Sequence, residues 1–391
     1  MVGYTIFVGA KIVGGYRDAA RGDTPLFTDF TPTYAASMIV RELPAEFVYL
    51  PRTMVAAGRE AARRIYGTLT DQQVGVVGFA PWMYPPTFIL LVLPLAYLPY
   101  LAAWAGWLGV TALPYLLTVR RILPDRLGLP FALAAPPALF NVMYGQTGFL
   151  TAGLIGSGLL LLRRRPVWAG VLIGLASVKP HFGALIPFAL LAGGHWRAFG
   201  AASASVLALI ALSAVALGDD PWFAFIGTSL FHLEGFSVGA FALPAMTTPW
   251  AAARLAGMTT EQAWVLQSLV SALMLAVVAW VWWRGRRHAA SHGLQAAVLC
   301  LATPLALPLA FLYDLALIVP AAAWLWADMR QRGARREEYW LLAGGLAALL
   351  GAKELAKVLP VLIAPWILAL LLGLALSRCL AALRRNETCA Q

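Results

Sequence analysis

Asp29 is the first residue that could do chemistry. It sits in "PLFTDFTPTYAAS" at 25–37, an acid in an otherwise oily chain. It could cap a helix at 31–40, since acids favour that position. It could equally be a general base, taking a proton from a hydroxyl within hydrogen-bond reach. A second candidate pair lies in "SVKPHFG" at 177–183, where Lys179 and His181 stand two residues apart between apolar segments. A charge in such a place is unfavourable unless it is paired, hydrated or functional. Lys179 could snorkel to the surface or neutralise an anionic substrate group. His181 could donate to phosphate or pack between helices. No second histidine or acid stands at ligand spacing from it, so no metal site is expected.

Polar residues also interrupt two other apolar runs. "NVMYGQTGF" at 141–149 carries Asn141, Tyr144, Gln146 and Thr147. These could bind sugar hydroxyls or bond to neighbouring helices, as polar groups in lipid commonly do. "FLYDL" at 311–315 places Tyr313 and Asp314 near a helix end, and "GDDPW" at 218–222 reads as a solvated turn. "MYPPTF" at 83–88 marks a helix start, because its prolines remove backbone donors and suit a first turn.

The elements that must position these groups are membrane helices. The chain of 391 residues is 61% hydrophobic and only 12% charged, against about 45–50% and about 25% in soluble domains. Fifteen Trp and twelve Tyr suit interfacial aromatic belts. The net charge of +11 lies largely in short loops, so it reads as a topology signal and not as a nucleic-acid surface. The basic clusters are Arg163–Arg165, "GGHWRAF" (193–199), "WRGRRH" (283–288), "RQRGARREE" (330–338), and Arg378 with Arg384 and Arg385. One orientation puts all five inside, and "SVKPHFG", "GDDPW", "FLYDL" and "AKELAK" (352–357) outside. The three cysteines form no CxxC or metal spacing. Residues 1–16 read as a short first span interrupted by Lys11, without the basic start of a signal peptide.

Three segments need individual treatment. The apolar stretches on both sides of "SVKPHFG" are short for a crossing of about 20 residues, so this turn is expected within the protein. Residues 84–119, broken by Pro94 and Pro99, fit either one kinked helix or a tight pair. That choice decides the side on which Arg120 and Arg121 lie. The polar first loop, 17–83, carries two amphipathic patterns. In 31–40, Tyr34, Ala35, Met38 and Ile39 share a face; in 53–67, Met54, Ala61, Ala62, Ile65 and Tyr66 oppose Arg59, Glu60, Arg63 and Arg64. Such helices are expected to lie flat on the interface, where the arginines could hold a lipid phosphate.

In order along the chain, "TDF", "YAAS", "YPPTF", "GQTGF", "RRPVWAGVLIGLASVKPHFG", "GHWRAF", "LATP" and "YDL" resemble glycosyltransferase family 87, across about residues 25–330. Thr147 stands where the family often has Asn, and His181 where it usually has Gln. The resemblance implies an all-α polytopic GT-C fold of roughly 10–12 transmembrane helices in a single domain, 1–391. Its parts would be a first extracytoplasmic loop at 17–83, a helical body at 84–377 and a basic cytoplasmic tail at 378–391.

The resemblance also implies an activity. A hexose, mannose by the family's pattern, would pass from a polyprenyl-phosphate carrier to a glycolipid or polysaccharide hydroxyl. This would occur at the outer face of the cytoplasmic membrane, with no cofactor. The family's first-loop aspartate falls on Asp29 as the base, with Tyr84, Asn141, Gln146, Lys179, His181, Tyr313 and Asp314 as substrate-binding positions. A phosphate leaving group needs little acid assistance, so one carboxylate suffices where glycoside hydrolases require a pair. A transporter or lipid flippase is the rival class, but no internal repeat of the kind transporters show is visible.

Overall fold

The computed structural model describes residues 29–66, 82–237, 242–286 and 292–388. The short first span read at 1–16 lies outside them, as does 67–81 of the first loop. All regular structure among the described residues is helical, apart from one isolated bridge between Met246 and Phe311. Among the described residues, five helices are long and apolar enough to cross a bilayer: Tyr100–Ile122, Trp196–Leu217, Thr260–Gly285, Leu312–Arg332 and Ala364–Arg384. Five shorter apolar stretches accompany them: Pro86–Tyr97, Gly148–Leu161, Pro166–Val178, Pro180–Ala192 and His292–Ala306. The chain is therefore an all-α polytopic membrane protein. Lipid is the natural cover for Trp196–Leu217, of which only 6% is buried in its most apolar window.

The chain divides into two compact units. The first comprises Met1–Thr111, Leu139–Gln146 and Val206–Val238; the second comprises Ala112–Ala138, Thr147–Ser205 and Gly239–Gln391.

In the first unit, the helices Thr31–Glu42 and Pro51–Tyr66 form a hairpin through the short turn Ala45–Tyr49. The second keeps its expected face: Met54, Ala61 and Ala62 are buried, and Arg59, Arg63 and Arg64 are exposed. The side chains of Ile65 and Tyr66 lie outside the described residues. The first helix differs from the flat interfacial helix expected, because protein encloses it on nearly every side, Thr31, Thr33 and Ser37 included. Its hydroxyls find partners within the fold, which is what allows this. Ser37 Oγ donates to Tyr34 O at 2.6 Å, and Thr31 Oγ1 lies 3.1 Å from Tyr100 Oη. The segment 84–119 is a broken pair: a helix over Pro86–Val92 tightens through Leu93–Tyr97, Leu98 is extended, and a new helix starts at Tyr100. Helix ends leave carbonyls without intrahelical partners. Here Tyr34 Oη donates to Leu98 O (2.8 Å) and Arg41 to Ala96 O (3.1 Å).

In the second unit, small residues let helices approach closely, as membrane packing favours. A Cβ on Gly170 would stand 2.3 Å from Ala198 O, and one on Gly174 would stand 2.6 Å from Ser205 Cβ. The basic clusters gather at one end. His195 and His292 rings lie 6.3 Å apart, and His292 Nε2 meets Leu159 O (2.8 Å) just before Arg163. Arg378 bonds Asp328 (2.7 Å) and Glu338 (2.9 Å). Arg330 pairs with Asp125, which puts the loop after Arg120 and Arg121 at that same end. The run expected as a basic tail from 378 continues as helix to Thr388.

Candidate functional site

Each unit holds one cluster of the residues singled out above. In the first, three distant motifs meet. Pro85 and Pro86 start a helix, and Tyr84 just before it turns its hydroxyl to Gln146, donating to Oε1 at 2.8 Å. Gln146 Nε2 in turn donates to the main-chain carbonyl of Asp29 at 3.4 Å. Tyr49 Oη donates to Tyr84 O at 2.9 Å, which fixes the tyrosine from behind. Burial pushes the Tyr49 hydroxyl pKa up, so it remains a donor.

Gly145 makes this meeting possible. Its φ is +63°, and a Cβ there would lie 2.7 Å from Phe30 Cβ and 3.0 Å from the Trp104 ring. Only glycine serves both demands. The chain therefore turns sharply, and Gln146 N reaches back to Asn141 O at 3.4 Å. Asn141 is fully buried, while Asp29 is half-buried at the start of the Thr31 helix. That helix has Phe30 at its N-cap position, one residue after Asp29.

The second cluster surrounds Lys179. The chain breaks into short 3-10 turns on either side of it, with Lys179 itself at φ −130° and ψ 75°. The preceding stretch Pro166–Val178 rises about 20 Å at 1.5 Å per residue, short of a core about 30 Å thick. Lys179 does not snorkel; it is 6% exposed and pairs with Asp314 Oδ1. Asp314 Oδ2 accepts from Phe311 N at 3.1 Å. The ammonium lies 5.3 Å from the Phe182 ring centre and 5.2 Å from that of Tyr313, within cation–π range. His181 is half-buried and packs on Phe182 at 4.9 Å between centroids. Pairing with Asp314 resolves the cost of a cation at this depth.

Sequence reasoning missed the residues that hold the Asp314 loop. The His292 helix ends at Ala306, and a helix end leaves its last carbonyls without intrahelical partners. Gln267, buried in the neighbouring span, donates to Leu305 O (3.1 Å), and Ser271 reaches Ala306 O (2.7 Å). Thr247 N donates to Ala310 O at 2.9 Å. The available signal was Gln267 and Ser271 at i, i+4 in an otherwise apolar span. Among the described residues no group of three or more metal-binding side chains converges.

Comparison with known proteins adds one match: the model of glycosyltransferase family 87 covers residues 82–308. That stretch contains Tyr84, Asn141, Gln146, Lys179 and His181, whereas Asp29, Tyr313 and Asp314 fall outside it. No curated protein and no solved structure matches the chain.

Proposed function

Because the chain belongs to glycosyltransferase family 87, we propose that this membrane glycosyltransferase moves a hexose, mannose by preference, from a polyprenyl-phosphate carrier to a hydroxyl of a glycolipid or polysaccharide. In this reading the fold is of GT-C type, and the reaction runs at the outer face of the cytoplasmic membrane. One observation carries the assignment of a base. Gln146 and Tyr84, both within the family match, are tied by hydrogen bonds to Asp29, which lies 117 residues from Gln146.

The chemistry asks for little else. The acceptor oxygen forms its bond to the anomeric carbon as the carbon–oxygen bond to the phosphate breaks. The acceptor proton passes to the Asp29 carboxylate, and polyprenyl phosphate leaves as a stabilised anion. A base in this role contributes about 10²–10⁴-fold in rate. Gln146 grips Asp29 by its main chain, so this contact fixes the residue without occupying a carboxylate oxygen. Charge on the departing phosphate calls for cationic donors, and we assign Lys179 and His181 to it. Asn141 and Tyr313 complete the substrate-binding set in this reading, while Tyr84 supports Asp29 through Gln146 and Asp314 holds Lys179 in place.

The test is release of free polyprenyl phosphate from labelled polyprenyl-phosphate hexoses by the purified protein in nanodiscs, with mass analysis of the lipids. Release with mannosyl donor and none with a nucleotide sugar is expected. No release from any polyprenyl-phosphate donor, or consumption of a nucleotide sugar, overturns the reading.

A further inference from the structure

The helix Pro51–Tyr66 carries a stripe that the catalytic reading does not use. Arg52, Arg59 and Arg63 are all exposed. At 3.6 residues per turn they fall on one line, with exposed Ala56 between the first two. The line runs opposite to Met54, Gly58, Ala61 and Ala62, which are buried. The arginines therefore point away from the protein interior.

These three arginines differ from their neighbours. On the same hairpin, Arg41 pairs with Glu42 and Arg64 with Glu60. Among the described residues, Arg52, Arg59 and Arg63 enter no ion pair. Between Arg52 and Arg59 lies a groove of about 370 Å³, floored by Pro51, Val55 and Ala56. An apolar floor with a guanidinium at each end matches a headgroup phosphate diester with the start of its acyl chains. Arginine is suited to hold phosphate through two parallel N–H bonds.

We propose that this stripe is a binding site for anionic membrane phospholipid, seated by its headgroup phosphate between Arg52 and Arg59, with Arg63 extending the positive surface. The occupant is a bilayer lipid and not the sugar donor. The hairpin explains why. Its antiparallel helices bring the Tyr66 end of the second beside the Thr31 end of the first, so the groove at residues 51–59 lies at the end away from Asp29. The inference rests on the membrane setting alone and stands apart from the role given to Asp29.

The experiment counts phospholipids retained by the full-length protein in native mass spectrometry after exchange into phosphatidylglycerol or phosphatidylcholine. It compares the wild type with R52Q, R59Q, the triple variant R52Q/R59Q/R63Q, and R64Q, whose arginine is already paired. The wild type should retain phosphatidylglycerol preferentially, with affinity falling about fivefold for each stripe arginine removed. R64Q should match the wild type. The preference should fade near 1 M salt, where the screening length drops to about 3 Å. Equal phosphatidylglycerol retention by the triple variant overturns the proposal, as does an equal loss of both lipids. Loss of the polyprenyl-phosphate donor with phosphatidylglycerol retained also overturns it, since the stripe would then belong to the donor site. All the substituted side chains are exposed, so an unchanged unfolding midpoint is expected, and the single variants give the same reading with less perturbation.

Discussion

Asp314 and Asp29 are both acids in apolar surroundings, yet the fold treats them differently. Asp314 is 3% exposed, with one carboxylate oxygen on Lys179 and the other on Phe311 N. Asp29 is half-buried, and Gln146 takes hold of it through the main-chain carbonyl. A carboxylate with both oxygens engaged by protein is a counter-ion that holds two segments 135 residues apart. The Gln146 contact positions Asp29 through its main chain. The contrast supports reading Asp314 as a brace.

The largest expected effect comes from breaking the brace. Asp314→Asn or Lys179→Met leaves the other charge buried, and should lower stability by about 3–5 kcal/mol. The double variant Lys179→Met with Asp314→Leu should recover much of that loss, because the uncompensated charge is gone. Thermal unfolding of purified protein in detergent reads both. If either single variant is as stable as the wild type, Asp314 is not a brace, and the contrast with Asp29 dissolves.

Next in size is Gly145→Ala, which strains the backbone and meets Phe30. A destabilisation of about 1–3 kcal/mol is expected, together with a fall in turnover as Gln146 shifts away from Asp29. Lost stability with turnover per folded molecule intact would separate the turn from the site. Smaller again is Tyr84→Phe, which removes one hydrogen bond to Gln146. It should lower kcat by about tenfold or less and leave the unfolding midpoint nearly unchanged. A change confined to KM would make Tyr84 a ligand group and not a support for Asp29.

Much of the fold is legible in the amino-acid order. The period of Met54, Ala61 and Ala62 identifies the buried face of its helix, and Arg59, Arg63 and Arg64 identify the exposed one. The short apolar counts beside Lys179 foretell a turn inside the protein, which its burial bears out. Pairings across long separations were not legible. Lys179 and Asp314 each look like a charge near a helix end, and only the tertiary fold joins them. The side on which Arg120 and Arg121 lie depended on a single contact, Asp125 with Arg330. The burial of Thr31–Ile39 on nearly every side was hidden because Thr31, Thr33 and Ser37 count as polar in any periodicity, although the fold encloses all three. At the site, Asp29, Tyr84 and Gln146 were each named from their motifs. That they form one hydrogen-bonded chain required Gly145 to turn where no side chain fits.

The role of Asp29 is open to one direct measurement: transfer of labelled hexose from polyprenyl phosphate by Asp29→Asn, beside donor binding by the same preparation. Replacing the acid by its amide keeps the shape and removes the proton acceptor. The account predicts donor binding near the wild-type level, with transfer lower by about 10²–10⁴-fold. Transfer at the wild-type rate in that variant would contradict it.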